Sequence, residues 1–292
     1  MTKYIVFDCG GTKIKHGIIN ANGELLTKDA YKTVRDNLAV FLDNMLLTIR
    51  NYQQNHDIAG IAISMPGYVD IDTGYLERAG AITALDGQNM KQLLEAEFSL
   101  PVEIENDGNC VALAEKISGN AQECQNFVCM TIGTGIGGGL YLNGDIYRGY
   151  RYRAGEYGAM LTAFHSECML DMHVTASFSK LLFTYKAYKK VQGHVEGAQI
   201  FAEAMTDTAV KELVDQWIQH ISRGVYNLAV TLNPEKILIG GGVSAQTYLL
   251  EEINRQLEKY ELWQAFKIPV EPCHYRNDAG LLGAFYHFQK MQ

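Results

Sequence analysis

The stretch Asp8-Cys9-Gly10-Gly11-Thr12-Lys13 lies between two apolar runs, residues 4–7 and 14–19, and it decides the fold. A second glycine-rich stretch, Thr131-Ile132-Gly133-Thr134-Gly135-Ile136-Gly137-Gly138-Gly139, follows about 125 residues later between similar runs. Each pattern predicts a strand, a glycine turn and a second strand. Because glycine has no Cβ, the backbone N–H groups of such a turn can approach an anion closely. Either stretch alone is often only a tight turn, but the pair indicates two halves of one phosphate site.

The bulk composition is that of an ordinary globular protein with room for two domains. The 292 residues are 47% hydrophobic and 20% charged, which is typical of such proteins. A net charge of −8 disfavours a nucleic-acid-binding surface. No apolar run reaches the roughly 18 residues needed to span a bilayer, so we expect no membrane segment. The first strand is predicted to begin by Lys3, so we expect neither a signal peptide nor a preceding DNA-binding helix.

Cysteine usage indicates a reducing compartment. The six cysteines form no C-x-x-C pair and no zinc-ribbon spacing, and most lie in apolar contexts typical of buried free thiols. We therefore expect a cytoplasmic protein.

Hydrophobic periodicity predicts an α/β fold whose opening pattern occurs twice. In the first half, strands are expected over residues 3–8, 14–20, 24–31, 58–64 and 102–105, and helices over 36–55, 90–98 and 110–117. After the second glycine turn, helices are expected over 173–185, 196–204 and 206–232, strands over 236–239 and 267–270, and a final helix from residue 279. The expected domains are residues 1–118 with 278–292, the terminal helix packing back, and residues 119–277.

Six motifs follow one another along the chain in a characteristic order. They are Asp8-Cys9-Gly10-Gly11-Thr12-Lys13, Met65-Pro66-Gly67-Tyr68-Val69-Asp70, Glu105-Asn106-Asp107-Gly108-Asn109, Thr131 to Gly139, Ala154-Gly155-Glu156-Tyr157-Gly158 and Gly240-Gly241-Gly242-Val243. This succession, from residue 3 to about 288, resembles the sugar kinases of the ROK family (repressor, open reading frame, kinase). The resemblance implies a duplicated actin-like ATPase fold of the ribonuclease H-like class, with two α/β domains flanking an interdomain cleft where ATP and sugar meet. It also implies ATP with Mg²⁺ as phosphoryl donor, a small-molecule sugar as acceptor, and a homodimer.

On this resemblance, Asp107 matches the catalytic aspartate of the family. At the end of a strand, its carboxylate could accept the proton of a sugar hydroxyl that attacks the γ-phosphate. It could instead cap the helix that follows. Asn106 matches a sugar-hydroxyl ligand, and Glu156 matches a carboxylate that accepts two sugar hydroxyls. The alternative for Glu156 is a solvated loop carboxylate.

The glycine turns match the ATP-binding segments of the family. The residues implied are Asp8, Gly10, Gly11, Thr12, Lys13, Gly133, Thr134, Gly135, Gly240, Gly241 and Gly242. The turns 10–12 and 133–135 would line the β- and γ-phosphates, and residues 240–242 would lie on the adenosine side. Asp8 would act through Mg²⁺ or its water shell, because a carboxylate repels a phosphate. Lys13 could neutralise phosphate or point to solvent.

The chain departs from the family pattern where most members hold a structural zinc. The position after Glu156-Tyr157-Gly158, usually histidine in the family, is Ala159. The usual cysteine cluster is replaced by His165, Cys168 and His173. One cysteine and two histidines do not form that cluster, so we expect an ordinary loop leading into a helix, and no structural zinc.

Two sugar ligands of the family have no clear match. Ala81 stands near the place of the usual asparagine. His173 falls near the place of a further glutamate, so it joins Asn106, Asp107 and Glu156 as an expected sugar-binding residue.

These departures bear on the identity of the sugar. In the family, the missing histidine approaches the anomeric side, so Ala159 would open space for a substituent on the anomeric oxygen. Ala79–Ile82, Tyr152–Gly158 and Asn277–Gly280 resemble the corresponding segments of the β-glucoside kinases of the family. We therefore expect phosphorylation of the 6-hydroxyl of the non-reducing glucose in a β-glucoside such as cellobiose. The alternatives are an N-acetylmannosamine kinase, a glucokinase and, more distantly, a non-catalytic sugar-sensing regulator.

Overall fold

The computed structural model describes residues 2–165, 168–275 and 277–292. The chain forms two compact units. Unit 1 comprises Met1–Ser118, Ile146–Ala154 and Asp278–Gln292, and unit 2 comprises Gly119–Asp145 and Gly155–Asn277. The segment Ile146–Ala154, which the sequence placed in the second domain, is therefore part of unit 1.

Unit 1 is built on a five-stranded mixed sheet. Its strands are β1 (Lys3–Cys9), β2 (Lys13–Asn20), β3 (Leu25–Lys32), β4 (Ile58–Met65), β5 (Tyr68–Val69), β6 (Tyr75–Arg78), β7 (Gln88–Asn89) and β8 (Val102–Asn106), and its helices are α1 (Leu38–Asn55), α2 (Met90–Phe98), α3 (Asp107–Ile117) and α10 (Ala279–Met291). The main sheet has the order β3-β2-β1-β4-β8, and a small sheet has the order β5-β6-β7. Strand β1 is antiparallel to β2 and parallel to β4, which is parallel to β8.

Unit 2 repeats this plan. Its strands are β9 (Phe127–Ile132), β10 (Ile136–Leu142), β11 (Asp145–Ile146), β12 (Leu161–His165), β13 (Cys168–Asp171), β14 (Lys236–Gly240) and β15 (Val270–Pro272), and its helices are α4 (Met172–Ala176), α5 (Phe178–Lys189), α6 (Gly197–Ala204), α7 (Thr208–Leu232), α8 (Thr247–Leu257) and α9 (Trp263–Phe266). The main sheet has the order β11-β10-β9-β14-β15. Strand β9 is antiparallel to β10 and parallel to β14, as β1 is to β2 and β4. Both predicted glycine turns therefore connect the two strands of a hairpin.

The alternation of side chains along β1 explains why both faces of its sheet are covered. Successive residues of a strand point to opposite faces. Ile5 and Phe7 join the apolar cluster that includes the buried face of α1. Tyr4 points the other way and packs against Phe285 and Phe288 of α10, at 5.3 Å between ring centroids in each pair.

The sequence misplaced three features. The expected loop over residues 165–173 is wrong for the described residues, because β12 and β13 pair as antiparallel strands that lead into α4; Ser166 and Glu167 lie outside the described residues. The helix expected over 173–185 is divided at Ser177, whose side chain accepts from the Lys180 N–H and so caps α5. The strand expected over 267–270 is Val270–Pro272.

The structure also describes the state of the cysteines and the length and apolarity of the helices. The six cysteines are free thiols, and all but Cys168 are buried. Within the described part of the chain, no helix combines the length and apolarity that crossing a membrane requires.

Gly241 provides a test of the turn that follows β14. Its φ is +90°, and a Cβ there would lie 2.1 Å from the carbonyl oxygen of Ile132. We expect Gly241→Ala to lower the free energy of unfolding by about 2 kcal/mol or more, because both the strained backbone and the collision oppose it. Gly242→Ala is the matched control, since a Cβ at Gly242 meets nothing within 4 Å. Denaturant titration without nucleotide measures both, and equal effects of the two substitutions would contradict this account.

Candidate active site

The carboxyl ends of β1, β4 and β8 lie at one edge of the unit 1 sheet. The register pairs Asp8 with Ser64 and Met65 with Asn106. Ligands of open α/β sheets bind beyond the carboxyl ends of parallel strands. The first glycine turn, the Pro66-Gly67 turn and Asn106-Asp107 therefore belong to one edge of one sheet.

The first glycine turn is held by one hydrogen bond within its hairpin and by two from residues outside it. The Gly10 N–H donates to the Lys13 carbonyl over 3.2 Å, and the Thr33 hydroxyl donates to the Gly10 carbonyl over 2.6 Å. The Nε–H of Arg35 donates to the Gly11 carbonyl. Thr12 and Lys13 are exposed. The guanidinium bound to this turn is thus that of Arg35, a residue that the sequence did not indicate.

The Asp8 carboxylate is largely buried at the base of this turn. Its side chain is 16% exposed; Oδ2 accepts from the Lys15 ammonium over 2.7 Å and Oδ1 from the Ser64 hydroxyl over 3.0 Å. Gly280 of α10 approaches so closely that a Cβ there would lie 2.4 Å from the carboxylate. A single carboxylate with a small exposed fraction fits Mg²⁺ held mainly by phosphates and water, and does not form an all-protein cage.

Asn106 caps α3. Its Oδ1 accepts from the Asn109 N–H over 3.1 Å, and its Nδ2 donates to the Gly67 carbonyl over 2.9 Å. Asp107 is the first residue of the helix, and its exposed side chain accepts from the Gly108 N–H over 2.8 Å. The capping role considered for Asp107 therefore belongs to Asn106. Asn106 keeps one amide hydrogen beyond these bonds.

A buried ion pair lies directly behind Asn106. Glu105 is 1% exposed, and its Oε2 accepts from Nε and Nη2 of Arg148 over 2.8 Å and 2.6 Å. Its Oε1 accepts from the Asn106 N–H over 2.8 Å and from the Asn109 amide over 3.0 Å. The sequence did not indicate this pair, because the two residues are 43 positions apart. Glu105 belongs to the Glu105–Asn109 motif, but that motif does not indicate which cation pairs with its carboxylate.

His287 of α10 lies beneath this pair. It is fully buried, and its Nδ1 lies 3.6 Å from Oε2 of Glu105. Neither ring nitrogen has a hydrogen-bond partner among the described residues. Burial lowers the pKa of His287 to about 4, and the Glu105 carboxylate only partly opposes that shift. The imidazole is therefore neutral near pH 7, and Arg148 is the cation that balances Glu105.

In unit 2, two glycine turns meet at a cavity. Gly240 of β14 pairs in register with Thr131 of β9, so the turns after these strands are neighbours. The adjoining cavity has a volume of about 350 Å³. Its lining residues are Ile132, Gly133, Thr134, Phe178, Glu196, Gly197, Ala198, Gly242, Val243 and Gln246. Small ligands bind in pockets of about 300–1,000 Å³. The cavity unites three of the expected ATP-binding residues, Gly133, Thr134 and Gly242, with others that have no sequence signature, such as Phe178 and Gln246.

Glu156 and His173 lie beside the second glycine turn. The Ile136 N–H donates to Nδ1 of His173 over 3.1 Å. The imidazole approaches Gly135 and Gly158 so closely that a Cβ at Gly158 would lie 2.1 Å from it. Partial burial raises the pKa of Glu156, and His173 counteracts this shift. Since Nδ1 accepts a hydrogen bond, the ring N–H is on Nε2 and can donate from there.

The residues considered for a zinc site are not assembled. Among the described residues, no three His, Cys, Asp or Glu side chains are grouped so that they could hold a metal ion. Ser166 and Glu167, which separate His165 from Cys168 in the sequence, are outside the described residues. The absence of structural zinc therefore stays a prediction.

The repeated sheets and glycine turns define a protein of the duplicated actin-like α/β class, and comparisons with known proteins agree. A Listeria monocytogenes protein described as a candidate N-acetylmannosamine kinase has a TM-score of 0.90 and 36% identity over 99% of both chains. A ROK family protein from Streptococcus pneumoniae in complex with sucrose has a TM-score of 0.86 and 28% identity over 99% of both chains. A ROK family glucokinase from Streptomyces griseus, in complex with glucose and AMPPNP, has a TM-score of 0.83 and 25% identity over 97% of both chains.

Sequence comparison gives the same result. Residues 4–291 match the model of the ROK family. The β-glucoside kinase of Listeria monocytogenes serovar 1/2a is 38% identical over 293 residues, which cover 98% of this chain and 97% of that protein. The chain belongs to the ROK family, and the predicted family and fold class are confirmed.

The contribution of the buried Glu105–Arg148 ion pair to stability can be tested by substitution of Arg148. Arg148→Met would leave the Glu105 carboxylate buried without its cation, so we expect a loss of about 3–5 kcal/mol in the free energy of unfolding. Arg153→Met is the matched control. It removes an exposed arginine paired with Glu77, and such pairs contribute about 0–1 kcal/mol. Denaturant titration compares the two variants, and a loss for Arg148→Met as small as that of the control would refute the structural role of the pair.

Proposed function

We propose that this protein is an ATP-dependent sugar kinase that phosphorylates the 6-hydroxyl of the non-reducing glucose in a β-glucoside such as cellobiose. The observation that carries the kinase assignment is the cavity of unit 2, where Gly133, Thr134 and Gly242 from separate segments converge. Full-length similarity to a β-glucoside kinase supports the choice of sugar.

Asp107 would act as the general base. It is exposed at the carboxyl edge of the unit 1 sheet, next to Asn106. Its carboxylate would take the proton of the 6-hydroxyl while that oxygen bonds to the γ-phosphorus and the bond to the β-phosphate oxygen breaks. ADP is released, and the proton passes to solvent. Asn106 would bind a sugar hydroxyl with its remaining amide hydrogen.

Glu156 and His173 would complete the sugar-binding set. An ionised Glu156 accepts hydroxyl hydrogen bonds, and Nε2–H of His173 donates one. The pKa of Glu156 is raised. As the pH is lowered, sugar affinity would therefore begin to fall at a higher pH than it would with a glutamate of ordinary pKa. Ala159 is exposed three residues after Glu156 and carries no polar group. A methyl group there leaves room for a substituent on the anomeric oxygen.

The glycine turns would hold the donor. Backbone N–H groups of residues 10–12 and 133–135 would contact the β- and γ-phosphates, and residues 240–242 would adjoin the adenosine. Mg²⁺ bound to the phosphates would neutralise their charge, with Asp8 acting through its water shell. Arg35, bound to the first turn, is better placed than the exposed Lys13 to supply a cation there.

We also infer a cytoplasmic homodimer. Leu161, Phe164 and Met169 on the β12–β13 hairpin are 57%, 68% and 51% exposed. Soluble monomers rarely expose such a cluster of large apolar side chains. We therefore infer that a second copy of the chain packs against them.

A sugar panel tests the acceptor. In an ADP-release assay we expect kcat/KM to be higher for cellobiose than for glucose or N-acetylmannosamine, because the site would favour a substituted anomeric oxygen. Phosphorus-coupled NMR of the product should place the phosphate on the 6-position of the non-reducing ring. Equal or better turnover of free glucose would overturn the β-glucoside assignment and leave the kinase assignment standing.

Replacement of the general base tests the mechanism. Asp107→Asn should lower kcat by about two to four orders of magnitude, the usual size of general-base assistance, while sugar affinity changes little. Asp43→Asn, at an exposed position on α1, serves as the control and should retain normal activity. Near-normal phosphorylation by Asp107→Asn would show that another group takes the proton.

A further inference from the structure

A cleft lined by tyrosines lies in unit 1, beyond the residues assigned above. Its volume is about 190 Å³. The residues that line it are Tyr68, Asp70, Tyr75, Glu77, Tyr150, Arg151 and Tyr152. They come from β5, from the residue that follows it, from β6, and from the segment Ile146–Ala154. None of them was assigned a function by the sequence.

Two of the four tyrosines that line this cleft are exposed, and the other two are partly buried. Tyr150 is 92% exposed and Tyr75 is 43% exposed. Burying aromatic rings is favourable, so rings left open beside a cavity mark a surface suited to a ligand. A tyrosine ring offers a flat apolar face that covers the C–H groups of a pyranose, and its hydroxyl can donate or accept a hydrogen bond.

The backbone and polar groups of the cleft are held in place. Tyr152 has a φ of +54°, a left-handed conformation that is uncommon for tyrosine, and its hydroxyl donates to Asp72 over 3.0 Å. Arg153 pairs with Glu77 and lies 4.7 Å from the ring centroid of Tyr68. The cleft therefore exists as a preorganised surface, which lowers the entropic cost of binding.

The cleft is connected, within unit 1, to Asn106 and Glu105. Tyr68 follows Gly67, whose carbonyl accepts from the Asn106 side chain. Arg148, two residues before Tyr150, is the partner of buried Glu105. Both walls of the cleft are thus anchored to residues adjacent to the predicted catalytic Asp107.

The geometry points to a subsite for the second, reducing-end ring of a β-glucoside, an inference that rests on the proposed function and deepens it. The volume lies below the range for a whole small-molecule pocket, and suits a single ring whose partner ring is bound elsewhere. The charged lining residues are Asp70, Glu77 and Arg151. Because Glu77 is paired with Arg153 and Arg151 offsets Asp70, the cleft carries no net charge, which suits a neutral polyhydroxyl ring.

Tyr150 is the residue to change, because an exposed side chain can be removed without disturbing the fold. We expect Tyr150→Ala to raise KM for cellobiose by about three- to tenfold, the size of one aromatic contact, while KM for glucose changes by less than about twofold. Tyr150→Phe keeps the ring and should stay close to the wild type. Tyr188→Ala removes a 48%-exposed tyrosine of α5 that does not line the cleft, and it should leave both substrates unaffected.

The outcomes separate the two proposals. If the wild type phosphorylates cellobiose but Tyr150→Ala changes KM for neither sugar, or for both equally, the subsite is wrong and the β-glucoside function stands. A wild-type enzyme that phosphorylates glucose but not cellobiose overturns both proposals, because its substrate then has no second ring that a subsite could bind. A rise in KM confined to cellobiose, absent from Tyr150→Phe and from Tyr188→Ala, supports the subsite.

Discussion

The arrangement of Asn106 and Asp107 depends on the buried ion pair between Glu105 and Arg148. A carboxylate this deeply buried is costly unless its oxygens are fully hydrogen-bonded. Glu105 meets that condition: Arg148 donates twice to one oxygen, and the Asn106 N–H and the Asn109 amide donate to the other. The bonds that satisfy Glu105 therefore fix the backbone at the point where β8 ends and α3 begins.

The ion pair also explains why Ile146–Ala154 is part of unit 1 although both its neighbouring segments in the chain belong to unit 2. Arg148 binds that segment to the β8 end, and Tyr152 and Arg153 bind it to Asp72 and Glu77 near the small sheet. Asn106, Asp107 and the tyrosine-lined cleft consequently share one support. A substitution at Arg148 would disturb both the proposed catalytic Asp107 and the proposed second-ring subsite.

The features that could be predicted from the sequence are those that short-range patterns determine, such as turns and helix bounds. Glycine turns between apolar runs specify hairpins within a few residues, so the turns at 10–12 and 133–135 were placed correctly, and α2 was predicted with its observed bounds, Met90–Phe98. Phe178 and Gln246 of the unit 2 cavity meet their neighbours only through tertiary folding, and so do Glu105 and Arg148. The β5-β6-β7 strands are two to four residues long, too short for an alternating pattern to be recognised.

The hairpin that replaces the expected loop shows how the region of the missing cysteine cluster is held in this chain. Phe164 pairs in register with Met169 across the hairpin, and the Met172 N–H donates to the Met160 carbonyl over 3.0 Å. Met172 is fully buried, and it packs so closely on Gly224 of α7 that a Cβ there would lie 2.5 Å from its sulfur. Met172 directly precedes His173, so packing of this apolar side chain fixes the position of the imidazole beside Glu156. Backbone pairing and one buried methionine thus hold this region in place, and the core of unit 2 positions the residues that we propose to bind the sugar.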